Sequence, residues 1–319
     1  MTAAPVVLVA PELRELSGER PEWPSGAITV FGRPDAELDA EARSRVAAII
    51  PLVSQPVGEA ELDRFPRLRI VANYGVGTDN LDIAAIRGRG VEVTNTPDVL
   101  TDATADLAIA LLLAAARRLR EGLDLARSGS WDGWHPAQLL GMGLQGKTLG
   151  ILGAGRIGRA TARRARGFGM QVVYWDRSGS PQLESECHAT RAVRLEECLG
   201  ASDAVSLHVP LTDETHGLLD ARRIEEMKPG AILVNTARGA IVDQPALAAA
   251  LRSGRLSAAG LDVFEHEPEI PLELRELPNC FLLPHLGSAT REARLAMWEL
   301  AASNVRAVLG DGPPLSPVR

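Results

Sequence analysis

Residues 148–158, Thr-Leu-Gly-Ile-Leu-Gly-Ala-Gly-Arg-Ile-Gly, and residues 171–177, Gln-Val-Val-Tyr-Trp-Asp-Arg, decide the fold of this chain. Thr148–Leu152 reads as a strand that runs into Gly153-Ala154-Gly155-Arg156-Ile157-Gly158; a helical stretch follows, then a second strand ending at Asp176. Each glycine answers a separate need. Gly153 permits a tight turn, Gly155 lets the backbone approach a pyrophosphate, and Gly158 lets helix and strand pack closely. The helix that starts at Arg156 and Ile157 turns its positive end toward the anion. Asp176 stands where the second strand offers a carboxylate to ribose hydroxyls. With strand, helix and acid all in place, the stretch predicts a dinucleotide site rather than a merely structural turn. Asp176 favours NAD; Arg177, with Arg156, would attract a 2′-phosphate and keeps NADP as the alternative.

Outward from this stretch, strand and helix alternate in both directions. Val6–Ala10, Ala47–Ile50, Ile70–Asn73 and Val91–Asn95 read as strands before it, and Ala204–His208, Ile232–Asn235, Ala258–Asp262 and Phe281–Leu283 after it. The rhythm predicts an α/β protein with doubly wound parallel sheets. A single long helix is expected from Leu100 to Arg127, and Gly129–Gly146, rich in Trp, Gly and Pro, reads as a crossing between domains. A last helix should run from Thr290 to Leu309, stopped by the proline-rich tail. A chain of 319 residues exceeds what one core usually supports, so two domains are expected.

Composition narrows the function classes. Hydrophobic residues at 45% and charged residues at 24% are those of a globular protein, and a net charge of −7 disfavours a non-specific grip on nucleic acid. The longest apolar run, Leu107–Ala116, is too short to span a bilayer, and no signal peptide is read at the N-terminus. The cysteines at 187, 198 and 280 form no C-x-x-C pair, so neither a disulfide framework nor a metal site is expected, and a reduced cytoplasm fits best.

Three residues stand at successive strand ends in the C-terminal half: Arg238, Glu267 and His285. Carboxyl ends of strands in an open α/β sheet face the ligand crevice. An arginine to clamp a carboxylate, a histidine to give or take a proton, and a carboxylate to favour the charged imidazole are what reduction of a 2-oxo acid requires. Taken singly, each has a bland reading as a surface charge or strand-end residue; their convergence favours chemistry. His135, His188, His208, His216 and His266 lack comparable partners and read as structural or surface residues. Trp131 and Trp134 divide evenly between core and pocket.

The glycine loop, Asn235-Thr-Ala-Arg-Gly, Gly260-Leu-Asp-Val-Phe, Glu267-Pro268 and Pro284-His-Leu-Gly-Ser-Ala-Thr together resemble the D-isomer-specific 2-hydroxyacid dehydrogenase family. The likeness extends to Asn73–Asp79 and Leu100–Asp106. Thr101–Asp106 and Trp131-x-x-Trp134 most resemble glyoxylate/hydroxypyruvate reductases. The resemblance implies a Rossmann cofactor domain over 99–288 and a flavodoxin-like substrate domain over 1–98 and 289–319, with crossings near Val99 and Ser288. It implies that Arg238 and the backbone N–H groups of Val76 and Gly77 hold the substrate carboxylate, that His285 is the acid–base residue, and that Glu267 pairs with it. By the same likeness Asp262 lies near the nicotinamide carboxamide, Val209 and Pro210 line that ring, and the region from Leu100 to Gly146 supports a homodimer. The expected activity is NAD(P)-dependent interconversion of a small 2-oxo acid, glyoxylate or hydroxypyruvate, with its D-2-hydroxy acid, without membrane or nucleic acid as partner. A phosphoglycerate dehydrogenase-like enzyme or an NAD-sensing corepressor-type binding protein are the alternatives.

Overall fold

Short β-branched runs without alternating polarity are suited to strands covered on both faces. A computed structural model describes residues 4–16 and 22–318 and places these runs at the centres of two parallel sheets. The chain divides into two units, Met1–Leu100 with Ala289–Arg319, and Thr101–Ser288.

In the first unit β1 (Val6–Val9), β2 (Ile28–Phe31), β3 (Val46–Ile50), β4 (Ile70–Ala72) and β5 (Glu92–Thr94) pair in the order β2-β1-β3-β4-β5, all parallel. This is the flavodoxin-like order. β1, β3 and β4 are wholly buried, and Val6, Leu8, Ile49, Phe65, Val71 and Ile86 share one core. β2 escaped the sequence reading because it is a short, half-exposed edge strand. The helix Arg291–Leu309 packs on β3 and β4 through residues that include Met297, Trp298, Ala301 and Val305, and Thr290 caps it by accepting from the Ala293 N–H at 3.1 Å.

In the second unit β6 (Thr148–Leu152), β7 (Gln171–Trp175), β8 (Thr190–Arg191), β9 (Ala204–Leu207), β10 (Ala231–Asn235), β11 (Leu256–Leu261) and β12 (Cys280–Leu282) pair in the order β12-β11-β10-β9-β6-β7-β8, again parallel. The order is that of a Rossmann sheet with a seventh strand. Strand order reverses between β6 and β9, and a crevice opens at the carboxyl ends where it does so. β8 is two residues at an edge, too short to leave a periodic signal.

The long helix expected from Leu100 to Arg127 is two, Thr101–Ala116 and Leu119–Ser128. Arg118 breaks it by entering the left-handed region at φ 52, where its guanidinium holds Glu121. The break separates unlike surfaces: the first helix is buried on most sides, whereas the second buries no residue. So close is the first helix to the sheet that a Cβ on Gly260 would stand 2.9 Å from that of Leu111. The irregular stretch 129–146 lies inside the second unit and is not a crossing between the two.

Candidate active site

The three loop glycines of the second unit meet three different surroundings. Gly153 has φ +97, and a Cβ there would lie 2.7 Å from the His208 carbonyl and the Val209 nitrogen, so only glycine lets β6 end against the end of β9. A Cβ on Gly158 would stand 2.0 Å from the Gly153 oxygen. Gly155 faces open space, so nothing in the chain forbids a side chain there. The bare backbone at the start of the helix Arg156–Gly167 is the cradle an incoming pyrophosphate needs.

Asp176 follows β7 and faces this loop. One carboxylate oxygen accepts from the Ala154 N–H at 2.9 Å, and the other from the N–H and hydroxyl of Ser178 at 3.0 and 3.1 Å. Arg177 beside it is exposed, and its charge reaches Glu214, whose carboxyl is held low first by the Thr212 hydroxyl and lastly by Arg177. Val209 is buried and Pro210 exposed directly after β9. His208 is half-buried and bonded to the Ser206 hydroxyl at 2.9 Å; desolvation of its ring pushes the imidazole down to about 3, which removes it as a proton donor near neutrality.

Arg238, Glu267 and His285 are presented by the loops after β10, β11 and β12. Asn235, the last residue of β10, donates to the Arg238 carbonyl at 2.8 Å and accepts from the Ala237 N–H at 3.0 Å, which shapes the turn that presents Arg238. A Cβ on Gly239 would lie 2.0 Å from the carbonyl carbon of Phe264, so this glycine brings the Arg238 turn against the loop that bears Glu267. Glu267 Oε1 accepts from the Phe264 N–H at 3.0 Å, and Oε2 meets His285 Nδ1 at 2.7 Å. Burial alone would raise the Glu267 carboxyl. The His285 hydrogen bond and charge, then the Phe264 N–H and the Arg238 charge, outweigh burial and hold it below the ordinary carboxylate value.

His285 itself has φ 54, a conformation that costs a non-glycine residue about 1–3 kcal/mol and survives only where its surroundings enforce it. Asp262 supplies the enforcement. It is 1% exposed, its carbonyl accepts from the His285 N–H at 2.8 Å, and its carboxylate accepts from the Leu286 and Gly287 N–H groups at 2.6 and 2.7 Å. Burial is the largest influence on this carboxyl and pushes it up to about 6, against the Leu286 N–H, the His285 charge and the Gly287 N–H.

In the first unit, the loop after β4 is pinned from both sides. Asn73 donates to the Gly77 carbonyl at 2.7 Å and Asn95 to the Val76 carbonyl at 2.9 Å, while a Cβ on Gly75 would lie 2.2 Å from Val53. The N–H groups of Val76 and Gly77 donate to no group among the described residues. Sequence reasoning passed over Asn73, Asn95, Asn235 and the anchoring by Asp262; Asn73, Asn235 and Asp262 at least lie in motifs that contain a named site residue, and Asn95 does not.

Residues 109–287 match the model of the family described as D-isomer specific 2-hydroxyacid dehydrogenase, NAD binding domain. The chain is 53% identical over 274 residues to a glyoxylate reductase of Thermococcus litoralis, covering 84% of this chain and 82% of that protein. Identity to a glyoxylate reductase of Pyrococcus furiosus is 52% over 274 residues, covering 84% and 81%. Among solved structures, an NADPH-dependent glyoxylate/hydroxypyruvate reductase from Sinorhizobium meliloti, in complex with NADP and malonate, superposes with a TM-score of 0.90 at 38% identity, covering 99% of this chain and 97% of that one.

Proposed function

The chain belongs to the D-isomer-specific 2-hydroxyacid dehydrogenase family, and from that premise we propose that it reduces glyoxylate to its achiral 2-hydroxy acid, or hydroxypyruvate to the D-2-hydroxy acid, with Arg238, Glu267 and His285 as its working residues. NAD(P)-dependent reduction of a 2-oxo acid is the family's chemistry, and a bound nicotinamide supplies the hydride to the 2-carbon. The observation that carries the assignment of residues is the 2.7 Å contact between Glu267 Oε2 and His285 Nδ1. With Nδ1 taken, Nε2 is the nitrogen left to give a proton to the carbonyl oxygen in reduction and to recover it in oxidation. Glu267 cannot swing away, because its other oxygen is held by the Phe264 N–H. Arg238 offers a planar fork to a substrate carboxylate, and in the first unit the unengaged N–H groups of Val76 and Gly77 are donors of the kind a carboxylate accepts from.

For the cofactor, Gly153, Gly155, Arg156, Ile157 and Gly158 form the pyrophosphate turn and helix start, with Val209 and Pro210 beside them along the end of β9. NAD is the preferred partner, since Asp176 is tied to this loop and would repel a 2′-phosphate, while NADP use would rest on Arg177 and Arg156. Asp262 acts on the reaction through the turn that holds His285. The assembly we propose is a homodimer in the cytoplasm. Leu119, Leu123, Trp131, Trp134 and Leu140 leave an apolar surface on one segment of the second unit, with Trp134 82% exposed. The cysteines are all free, and burial pushes Cys198 and Cys280 up to about 12, which suits a reducing compartment. No helix among the described residues is long and apolar enough to cross a membrane.

Purified protein with NADH or NADPH and a panel of 2-oxo acids, followed at the nicotinamide absorbance, tests the reading. Turnover should be highest with glyoxylate or hydroxypyruvate. Binding of NAD without turnover of any 2-oxo acid would replace it with a sensing role.

A further inference from the structure

The first unit carries a small cavity at the end of its sheet opposite the loop after β4. About 180 Å³ in volume, it is lined by Pro5, Ser25, Arg45, Arg67, Arg69 and Leu309, among others. That is room for several waters at ~30 Å³ each, or for one small anion. Three arginines therefore line it before the amino ends of β3 and β4, with Pro5 before that of β1, and no acidic residue lines the cavity.

The charges there are poorly neutralised by the chain itself. Arg69 reaches Asp311 at 2.8 Å, but Asp311 is 86% exposed, so the pair is screened by solvent. Arg45 approaches Glu41 only to 3.7 Å, and Arg67 bonds to no group among the described residues. Arg45 Nε is buried with no hydrogen-bond partner, a donor of the kind that an ion or water normally satisfies. The lip is shaped with strain: Ser25 lies at φ 58 beside Gly26 at φ 66, and Trp23 next to them is held by its bond to Thr29 at 2.9 Å and by the Arg306 guanidinium 5.8 Å from its ring. Nor does the nearby end of the last helix present a row of bare carbonyls, since Gly310, Asp311 and Gly312 N–H groups occupy those of Arg306, Val308 and Ala307.

We propose that Arg45, Arg67 and Arg69, with Ser25 at the lip, form a binding site for a phosphate-sized oxyanion, separate from the proposed active site. Guanidinium forks match the geometry of a tetrahedral dianion, and such an ion offsets positive charge that the chain leaves poorly neutralised. The ligand is either free phosphate or the phosphoryl group of a small metabolite. Because the cavity lies at the other end of the sheet from residues 73–78, occupancy should stabilise the protein without competing with the 2-oxo acid.

The test is titration calorimetry of the full chain with orthophosphate and, separately, with glycerol 3-phosphate, at constant ionic strength set by chloride and with NADH present to fill the pyrophosphate turn. We expect saturable binding of at least one; the tighter of the two identifies the source. The double variant Arg67→Ser/Arg69→Ser, at exposed positions, should weaken it about ten- to a hundredfold for each charge-assisted bond removed, with kcat and KM unchanged. Asp311→Asn, which frees Arg69 from its ion pair, should strengthen binding. Titrations indistinguishable from chloride, or binding that survives the double variant, would overturn the proposal.

Discussion

Two aspartates in the second unit do the same mechanical job in different surroundings. Asp176 ties the glycine loop through the Ala154 N–H from a half-buried position shared with Ser178. Asp262 ties the turn after His285 through two N–H groups from a position 1% exposed. The first loop owes its shape mainly to what is missing, since side chains at Gly153 and Gly158 would collide with backbone. The second owes its shape to charge, because a buried carboxylate holds a histidine in a conformation it would otherwise leave. A loop made by omission should be indifferent to pH, and a loop made by a buried acid should not.

The largest effect that separates the two should come from His285→Ala. Reduction of the 2-oxo acid should fall by about two to four orders of magnitude at every pH, as for a lost general acid. Binding of NADH, read by fluorescence, should stay near wild type because the glycine loop is untouched. Loss of both together would mean that the two loops are one cooperative structure.

The next effect is on stability. The Asp262 carboxyl is raised from 3.8 to about 6 in the folded protein. Between those values the native state keeps a proton that the unfolded chain has released, so stability should fall as pH rises from about 4 to about 6, by something on the order of 2–3 kcal/mol. Glu267 has the opposite sign: its depressed carboxyl contributes stability above its unfolded value of 4.5, lost as pH falls through the folded one. Denaturant unfolding of wild type and Asp262→Asn across this range decides the matter. The asparagine variant should lack the downward slope, and an identical slope in both would deny Asp262 its buried charge.

A smaller change is expected at the other aspartate. Asp176→Ala should shift the ratio of kcat/KM for NADH over NADPH toward NADPH by about tenfold, as for the removal of one charge-assisted bond. An unchanged ratio would leave Asp176 with its loop-tying bond alone.

The same contrast explains what could be read from the sequence. Gly153, Gly155 and Gly158 are legible because a glycine announces a backbone need, and Arg238, Glu267 and His285 because they follow apolar runs at strand ends. The parallel architecture followed from the same runs. Asp262 looked like a ligand contact, and nothing within its own neighbourhood says that its partners are the N–H groups of Leu286 and Gly287. Asn73 and Asn95 are silent for the same reason, since a side chain that pins a carbonyl across a loop leaves no period. The break at Arg118 was hidden because apolar spacing continues through it while the buried face does not.

The account rests most heavily on the pairing of Glu267 with His285, and the pH dependence of 2-oxo acid reduction by Glu267→Gln tests it most directly. The substitution leaves the proton donor in place but withdraws the negative charge 2.7 Å from its ring. The alkaline limb of the profile should move to lower pH, with much of the activity returning in acid. An alkaline limb that stays where it is in the wild type would contradict the pairing, whatever happens to the overall rate.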